Sequence, residues 1–215
     1  MTIPGIAALD HLLIGAPALD LGIKWLFDRT GVRAALGGSH PGLGTWNALA
    51  SLGPQQYVEI IAPDPEQSGV ETFYIPGLRN FEAPRVTSWA ARTMGIRTRF
   101  PARTPLGFSC DRPREGSRVR LDGSRLEWAL AFPLQIDHGR FDGLLPFLID
   151  WQDTTTHPGA ATPPGLSLRS FSLHHPNAEA LRAALRALDL DAQVEPAKHP
   201  SIRAVLDTPQ GIITV

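Results

Sequence analysis

The pattern of apolar residues near the start of the chain predicts short strands and one helix. Residues 8–15 form an apolar run typical of a strand, and apolar positions then recur at near-helical spacing from Leu19 to Gly31. The glycine-rich residues 37–44 are expected to form a loop. Strands are expected at about 45–52 and 55–62, so the predicted order is strand, helix, loop and hairpin.

The C-terminal part of the chain repeats this order. Residues 166–174 predict a strand, and Asn177 is a suitable N-cap for a helix over residues 178–188. Two further apolar runs, at 202–206 and 212–215, predict a closing pair of strands. This recurrence indicates an internal duplication.

The two copies differ in their chemistry. The two copies align with one gap over four features: a His-Pro pair, a strand, a Pro-Gln turn and a last strand. In that register Ser170 falls near His11, and Thr214 falls at Glu59. The C-terminal copy therefore keeps the order of elements without the ionisable pair, which indicates that the frame does not require that pair.

The middle of the chain is less regular. Residues 85–93 contain an apolar run typical of a strand, and residues 118–126 predict a hairpin with an Asp-Gly turn. Residues 144–151 form a nearly continuous apolar strand with Asp150 near its end. Residues 95–120 are rich in Pro, Gly and Arg and are expected to form a loop.

Composition narrows the class of protein. A hydrophobic content of 43% and a charged content of 19% are ordinary for a globular domain, and a net charge of −1 argues against nucleic-acid or anionic-membrane partners. The single cysteine, Cys110, excludes an intrachain disulfide, and no apolar run approaches the ~18 residues of a membrane span. Because the first residues also lack the pattern of a signal peptide, we expect a cytoplasmic location.

His11 and Glu59 are the most informative candidates for chemistry. Each places an ionisable side chain in an apolar strand, and burying a charge costs several kcal/mol, as an order of magnitude, unless it is paired or bound to a metal. If the fold brings them together, they act as metal ligands, as an acid–base pair, or as a buried hydrogen-bonded pair without a cation.

The chain resembles the vicinal oxygen chelate superfamily, which includes glyoxalases, extradiol dioxygenases and bleomycin-resistance proteins. More narrowly, it resembles the stand-alone glyoxalase-like domain proteins. The resemblance is carried by four segments: LDHLLIGAP at 9–17, HPGLGTWN at 40–47, YVEIIAPDP at 57–65 and LLPFLIDW at 144–151.

This resemblance implies an α+β fold, in which tandem βαβββ units form a half-open mixed-sheet barrel with an extra C-terminal βαβββ-like half-module. The two-unit glyoxalase-like domain, with a degenerate second unit, is expected over residues 1–160. The half-module is expected over 161–215, where it either closes against the same chain or pairs with a second copy in a homodimer.

The resemblance also implies a divalent metal, Zn, Ni, Mn or Fe, held by the first and last strands of each unit. His11 and Glu59 match the ligand positions of the first unit, with Glu59 as ligand or general base. Asp150 is either a third ligand or a cap for the turn that follows its strand. His157 is either a ligand above the mouth of the barrel or a solvated loop residue.

Five other residues are candidates for contact with a small-molecule substrate. His40, Thr45 and Asn47 either line a pocket or only shape a turn, and Trp89 and Trp128 lie either in the core or in a pocket wall. The resemblance implies a small-molecule enzyme with metal-dependent lyase, isomerase or dioxygenase chemistry on a vicinal-oxygen substrate. The alternative is a protein that binds and sequesters a small molecule without catalysis.

Overall fold

The computed structural model describes residues 9–72, 74–99, 112–119, 123–134, 139–152, 154 and 156–215. Cys110 and the Asp122 position of the predicted hairpin turn lie outside these residues. Within them the chain forms strands β1–β12 and helices α1–α4, arranged as three successive modules with the element order βαβββ.

The first module matches the sequence pattern closely. It comprises β1 (Leu9–Gly15), α1 (Leu19–Thr30), β2 (Ala35–His40), β3 (Thr45–Gly53) and β4 (Gln56–Pro63). Helix α1 ends where predicted, because Gly31 adopts a left-handed conformation with a φ of 77° and donates its N–H to the Phe27 carbonyl.

Strand β2 corrects the prediction of a loop at residues 37–44. Its backbone pairs antiparallel with β3 from Ala35 opposite Leu49 to His40 opposite Thr45, with a bulge between Leu36 and Gly38. The glycines are accommodated by the bulge rather than ending the strand.

The second module has the same element order with a much shorter helix. It comprises β5 (Arg85–Arg92), α2 (Ile96–Arg99), β6 (Arg114–Val119), β7 (Arg125–Ala131) and β8 (Phe147–Asp150). The segment predicted to be a loop over 95–120 therefore contains α2 and β6, whose polar sequences carry no clear period.

The third module begins after α3 (Pro158–Ala161). It comprises β9 (Ser167–His175), α4 (Ala178–Arg186), β10 (Gln193–Pro196), β11 (Ser201–Thr208) and β12 (Gly211–Thr214). The predicted N-cap is confirmed, because the Asn177 side chain accepts a hydrogen bond from the Ala180 N–H. Strand β10 was not predicted, because its sequence QVEP has no apolar run.

The first two modules have the same pattern of strand pairing, and the third has a different one. The neighbouring strands run β2-β3-β4-β1 in the first module and β6-β7-β8-β5 in the second, so that each module pairs its first strand in parallel with its last. In the third module β9 instead pairs in parallel with β10. The duplication therefore holds for the order of elements but not for the pairing of strands.

These sheets confirm the α+β class, with eight strands in a mixed sheet and four strands in a second sheet. The described chain divides into two compact bodies, each built from several separate segments of the sequence. We call them the Glu59 body (His11–Ser88, Pro158–Arg169 and Ala204–Val215) and the Asp10 body (Leu9 and Asp10, Trp89–His157 and Ser170–Arg203). The predicted boundary near residue 160 stays a prediction.

Candidate active site

Helix α1 and the candidate residues lie on opposite faces of the strands of the Glu59 body. Gly22 of α1 lies so close to β4 that an added Cβ would be 2.3 Å from Ile60 Cγ2. Because successive side chains of a strand alternate between its faces, Glu59 points away from α1. The face that the helix leaves uncovered is therefore the one that carries the candidate chemistry.

Strand register gathers the polar side chains on this face. In the parallel pair β1–β4, His11 is opposite Tyr57, which lies two residues before Glu59. In the antiparallel pair β3–β4, Asn47 is opposite Ile61, two residues after Glu59. Since positions two apart share a face, the pairing brings His11, Asn47 and Glu59 together.

The side chains converge on the Glu59 carboxylate. His11 Nε2 lies 3.2 Å from Oε2, and Asn47 Nδ2 donates to Oε1 at 2.6 Å. His40 Nε2 lies 3.7 Å from Oε1 and 3.0 Å from Asn47 Nδ2. His11 also stacks on Tyr57, with ring centroids 4.4 Å apart. The predicted His11–Glu59 pair thus forms a direct contact at the centre of a larger cluster.

A hydrogen-bonded chain continues from this cluster through His40. His40 Nδ1 lies 2.9 Å from Thr45 Oγ1, which in turn contacts the Tyr74 hydroxyl. Because Asn47 Nδ2 can only donate, its contact with Nε2 suits the neutral form of His40 that carries its hydrogen on Nδ1. The three predicted substrate-contact residues of this part of the chain therefore lie beside Glu59.

The cluster keeps Glu59 ionised although it is only 6% exposed. Burial by itself raises the pKa of Glu59, but the hydrogen bond and charge of His11, the charge of His40 and the Asn47 hydrogen bond together lower it to about 2. Burial raises the pKa of Tyr74, and the Glu59 charge adds to this effect, so its phenol stays neutral.

The Gln67 side chain fixes the turn that follows His40, the last residue of β2. Its Oε1 accepts from the Gly42 N–H at 2.8 Å, and its Nε2 lies 2.8 Å from Asp64 Oδ2 and 3.1 Å from the His40 carbonyl. Hydrogen bonds from Ser39 and Gln67 lower the pKa of Asp64. The backbone around His40 is therefore held from both sides of the turn.

Four predicted site residues lie in the Asp10 body and have partners there. His157 Nε2 is 3.1 Å from Asp10 Oδ2, which also accepts from Arg92 Nε at 2.8 Å and from Trp151 Nε1 at 3.0 Å. His157 is 8% exposed, so it is a buried residue rather than a solvated loop histidine.

Asp150 projects toward the helix of its own module. Its Oδ2 accepts from the Ile96 N–H at the start of α2, at 3.1 Å. Asp150 therefore caps the start of α2, and the turn that it was predicted to cap includes Asp153, which lies outside the described residues. Glu59 points away from the helix of its module, so Asp150 occupies the opposite face of the corresponding last strand.

The two tryptophans have different surroundings. Trp89 is fully buried, donates from Nε1 to the Leu144 carbonyl and packs on Phe171, which makes it a core residue. Trp128 is half-buried and lies against Gly116 and near Trp151.

The metal implied by the resemblance does not fit the residues around Glu59. Asn47 Nδ2 lies between the carboxylate and His40 Nε2, so a cation there would meet amide hydrogens rather than lone pairs. Across the ranges that the structure describes, no group of three or more His, Cys, Asp or Glu side chains is arranged to hold a metal ion.

Some residues of the cluster had no clear signal in the sequence. Tyr57 could have been found, because it lies two residues before Glu59 on the same predicted strand. Tyr74 and Gln67 lie in an aperiodic segment after β4, where spacing does not predict which way a side chain points.

The fold has counterparts among solved structures of low sequence identity. A structure of a hypothetical protein from Staphylococcus aureus has a TM-score of 0.62 at 16% identity, covering 96% of this chain and 83% of that chain. Methylmalonyl-CoA epimerase from Mycobacterium tuberculosis has a TM-score of 0.43 at 22% identity, covering 70% and 91%. A hypothetical protein from Bacillus halodurans C-125 has a TM-score of 0.46 at 14% identity, covering 67% and 94%.

A family model of the glyoxalase-like domain matches residues 9–188. The chain therefore belongs to the glyoxalase-like domain family of the vicinal oxygen chelate superfamily, as the sequence motifs predicted. No curated protein matches the chain. Among the described residues, no helix is long and apolar enough to cross a membrane.

Proposed function

We propose that this protein is an enzyme that moves a proton on a small oxygen-containing substrate, with His11, Glu59 and His40 as its reacting centre. The observation that carries the proposal is the buried, ionised Glu59 carboxylate placed between two imidazoles. Such a group is costly to bury, and burial of this kind is concentrated at sites of function.

Glu59 acts through its charge rather than as the base itself. A carboxylate whose pKa is about 2 accepts a proton poorly near neutral pH. It instead stabilises the positive charge that an imidazole acquires when it takes a proton from a substrate. An imidazole is therefore the proposed proton acceptor and donor, and Glu59 supports it.

The two histidines have different access to a ligand. The His40 side chain is 15% exposed, whereas that of His11 is 2% exposed and stacked on Tyr57. We assign His40 to substrate contact and His11 to orienting the carboxylate. Isomerase or lyase chemistry at a carbon beside a carbonyl group needs this kind of proton transfer.

The divalent metal and the homodimer stay predictions. No step of the proposed chemistry runs through a metal, because the Asn47 amide hydrogens lie between the Glu59 carboxylate and His40 Nε2. Elemental analysis of the purified protein, followed by titration with Zn, Ni, Mn and Fe, tests the metal separately. Sedimentation tests the dimer.

Hydrogen–deuterium exchange tests the enzymatic proposal. We expect the protein in D2O to accelerate exchange at the carbon beside the carbonyl of at least one compound in a panel of dihydroxyacetone, methylglyoxal hemithioacetal and 2-hydroxy acids, followed by proton NMR. Glu59→Gln and His40→Gln should each lower that rate about 100-fold or more.

Ser51→Ala is the matched control for these variants. Ser51 lies on the same strand as Asn47, but its hydroxyl bonds only to the backbone of Gly53 among the contacts described. Its exchange rate should equal that of the native protein. A panel without exchange, with and without the four metals, would contradict an enzyme, and binding without exchange would favour the sequestering protein.

A further inference from the structure

One polar atom of the candidate active site has no partner in the described structure. Asn47 is 6% exposed, and its two donor contacts go to Glu59 and His40, but its Oδ1 accepts no hydrogen bond. Buried polar atoms are nearly always hydrogen-bonded, so an exception at a site of chemistry points to a ligand atom.

The orientation of the Asn47 amide is fixed by its neighbours. The ionised Glu59 carboxylate can only accept, so the Nδ2 end of the amide must face it. Turning the amide over would set Oδ1 against a carboxylate. The unpartnered atom is therefore an acceptor held in place, and its complement is a donor.

The charge of the site also indicates which charge its ligand can carry. The four strands β1 to β4, all of which are described, contain no Lys or Arg, and the group at the centre of their polar face is an anion. A ligand that brought a carboxylate or phosphate to Asn47 Oδ1 would place an anion against a hydrogen-bond acceptor and close to the ionised Glu59. Such a ligand would be repelled.

We infer that the ligand of this site is an uncharged small molecule that donates a hydrogen bond from a hydroxyl or N–H group to Asn47 Oδ1. This inference rests on the proposed function, since it names the substrate class for the same site. Asn47 then binds the substrate through Oδ1 and contacts Glu59 and His40 through Nδ2.

Three probes of similar size test the donor requirement. Phenol carries a hydroxyl donor, anisole replaces that hydrogen by a methyl group, and benzoate carries a negative charge. We expect phenol to bind the full chain at least about tenfold more tightly than anisole or benzoate, as measured by chemical shifts in 15N-labelled protein. The shifts should be largest for the Asn47 side-chain amide.

Variants identify the atom responsible. Asn47→Ala should reduce the preference for phenol over anisole to about one, whereas Ser51→Ala should keep it. If Asn47→Ala does not fold, the preference in the native protein and the Asn47 amide shift still decide the question.

The outcomes separate this inference from the proposed function. Equal binding of phenol and anisole at the Asn47 amide would overturn the donor requirement and leave the site intact. Tighter binding of benzoate would overturn it as well. If none of the three perturbs the Asn47 amide, the inference fails, while deuterium exchange that depends on Glu59 would still support the proposed function.

Discussion

Asp10 and Glu59 are both buried carboxylates, but their partners differ in kind. Asp10 is fully buried and accepts from a guanidinium, an indole and an imidazole: Arg92, Trp151 and His157. Glu59 is 6% exposed and is bonded to imidazole and amide groups, and no Lys or Arg is paired with it among the described residues.

The kind of partner distinguishes a buried carboxylate with a structural role from one with a functional role. The Arg92 guanidinium neutralises Asp10 at every accessible pH, which suits a group that only holds strands and loops together. The described partners of Glu59 are imidazole and amide groups, and among the described contacts its neighbour Asn47 keeps an unsatisfied acceptor. The Asp10 cluster is therefore interpreted as a structural element and the Glu59 cluster as a site.

The largest expected effect is on stability at Asp10. Asp10→Asn should lower the free energy of unfolding by about 3 kcal/mol, because it removes the charge of a fully buried carboxylate that accepts from Arg92 and two other side chains. Urea unfolding followed by circular dichroism measures the change.

Asp28→Asn is the control for Asp10. Asp28 pairs with Lys24 on the exposed surface of α1, and such pairs contribute about 0.5 kcal/mol or less. If Asp10→Asn were as mild as Asp28→Asn, the Asp10 cluster would not be structural, and the contrast with Glu59 would disappear.

The next effect is a dependence of stability on pH at Glu59. Its pKa is lowered from 4.5 to about 2 on folding, so the ionised side chain stabilises the fold above pH 4.5, by at most about 3 kcal/mol, and this contribution is lost as the pH falls toward 2. Glu59→Gln should therefore be less stable than the native protein at pH 7, and the difference should shrink between pH 4.5 and 2.

Glu66→Gln provides the comparison for this pH series. The Glu66 side chain is exposed, so its substitution should change the free energy of unfolding by less than about 0.5 kcal/mol throughout the range. A gap between the native protein and Glu59→Gln that stays constant with pH would show that Glu59 is not held ionised by its neighbours.

Much of the fold could be predicted because its signals are local. Strand alternation and the helix-ending Gly31 place β1, α1, β3 and β4 within a residue or two. The prediction for β2 was wrong because its glycines predict a loop, whereas pairing with β3, a contact distant in sequence, decides the outcome. The pairing of the third module also depends on such distant contacts.

The candidate site was predicted where it follows strands. The positions of His11 and Glu59 follow from burial and alternation, while Asp10, equally unusual in the same apolar run, was overlooked. Asp150 shows the limit of this reasoning, because a shift of one residue moves a side chain to the other face of its strand. Tyr74 and Gln67 lie in a segment without periodicity, where only the folded structure shows what they contact.

The smallest change in stability is expected for Gln67. Its substitution tests whether the Glu59 cluster depends on the hydrogen bonds that Gln67 makes around His40. Gln67→Ala should lower the free energy of unfolding by only about 1 kcal/mol, because the bonds it makes are partly exposed to water. The exchange rate should fall about three- to tenfold, because the turn that follows His40 loses its hydrogen bonds to Gln67. Gln193→Ala, which removes the same side chain from an exposed strand, should change neither quantity. If Gln67→Ala leaves the exchange rate unchanged, strand β2 alone positions His40, and the hydrogen bonds of Gln67 are not needed for the reaction.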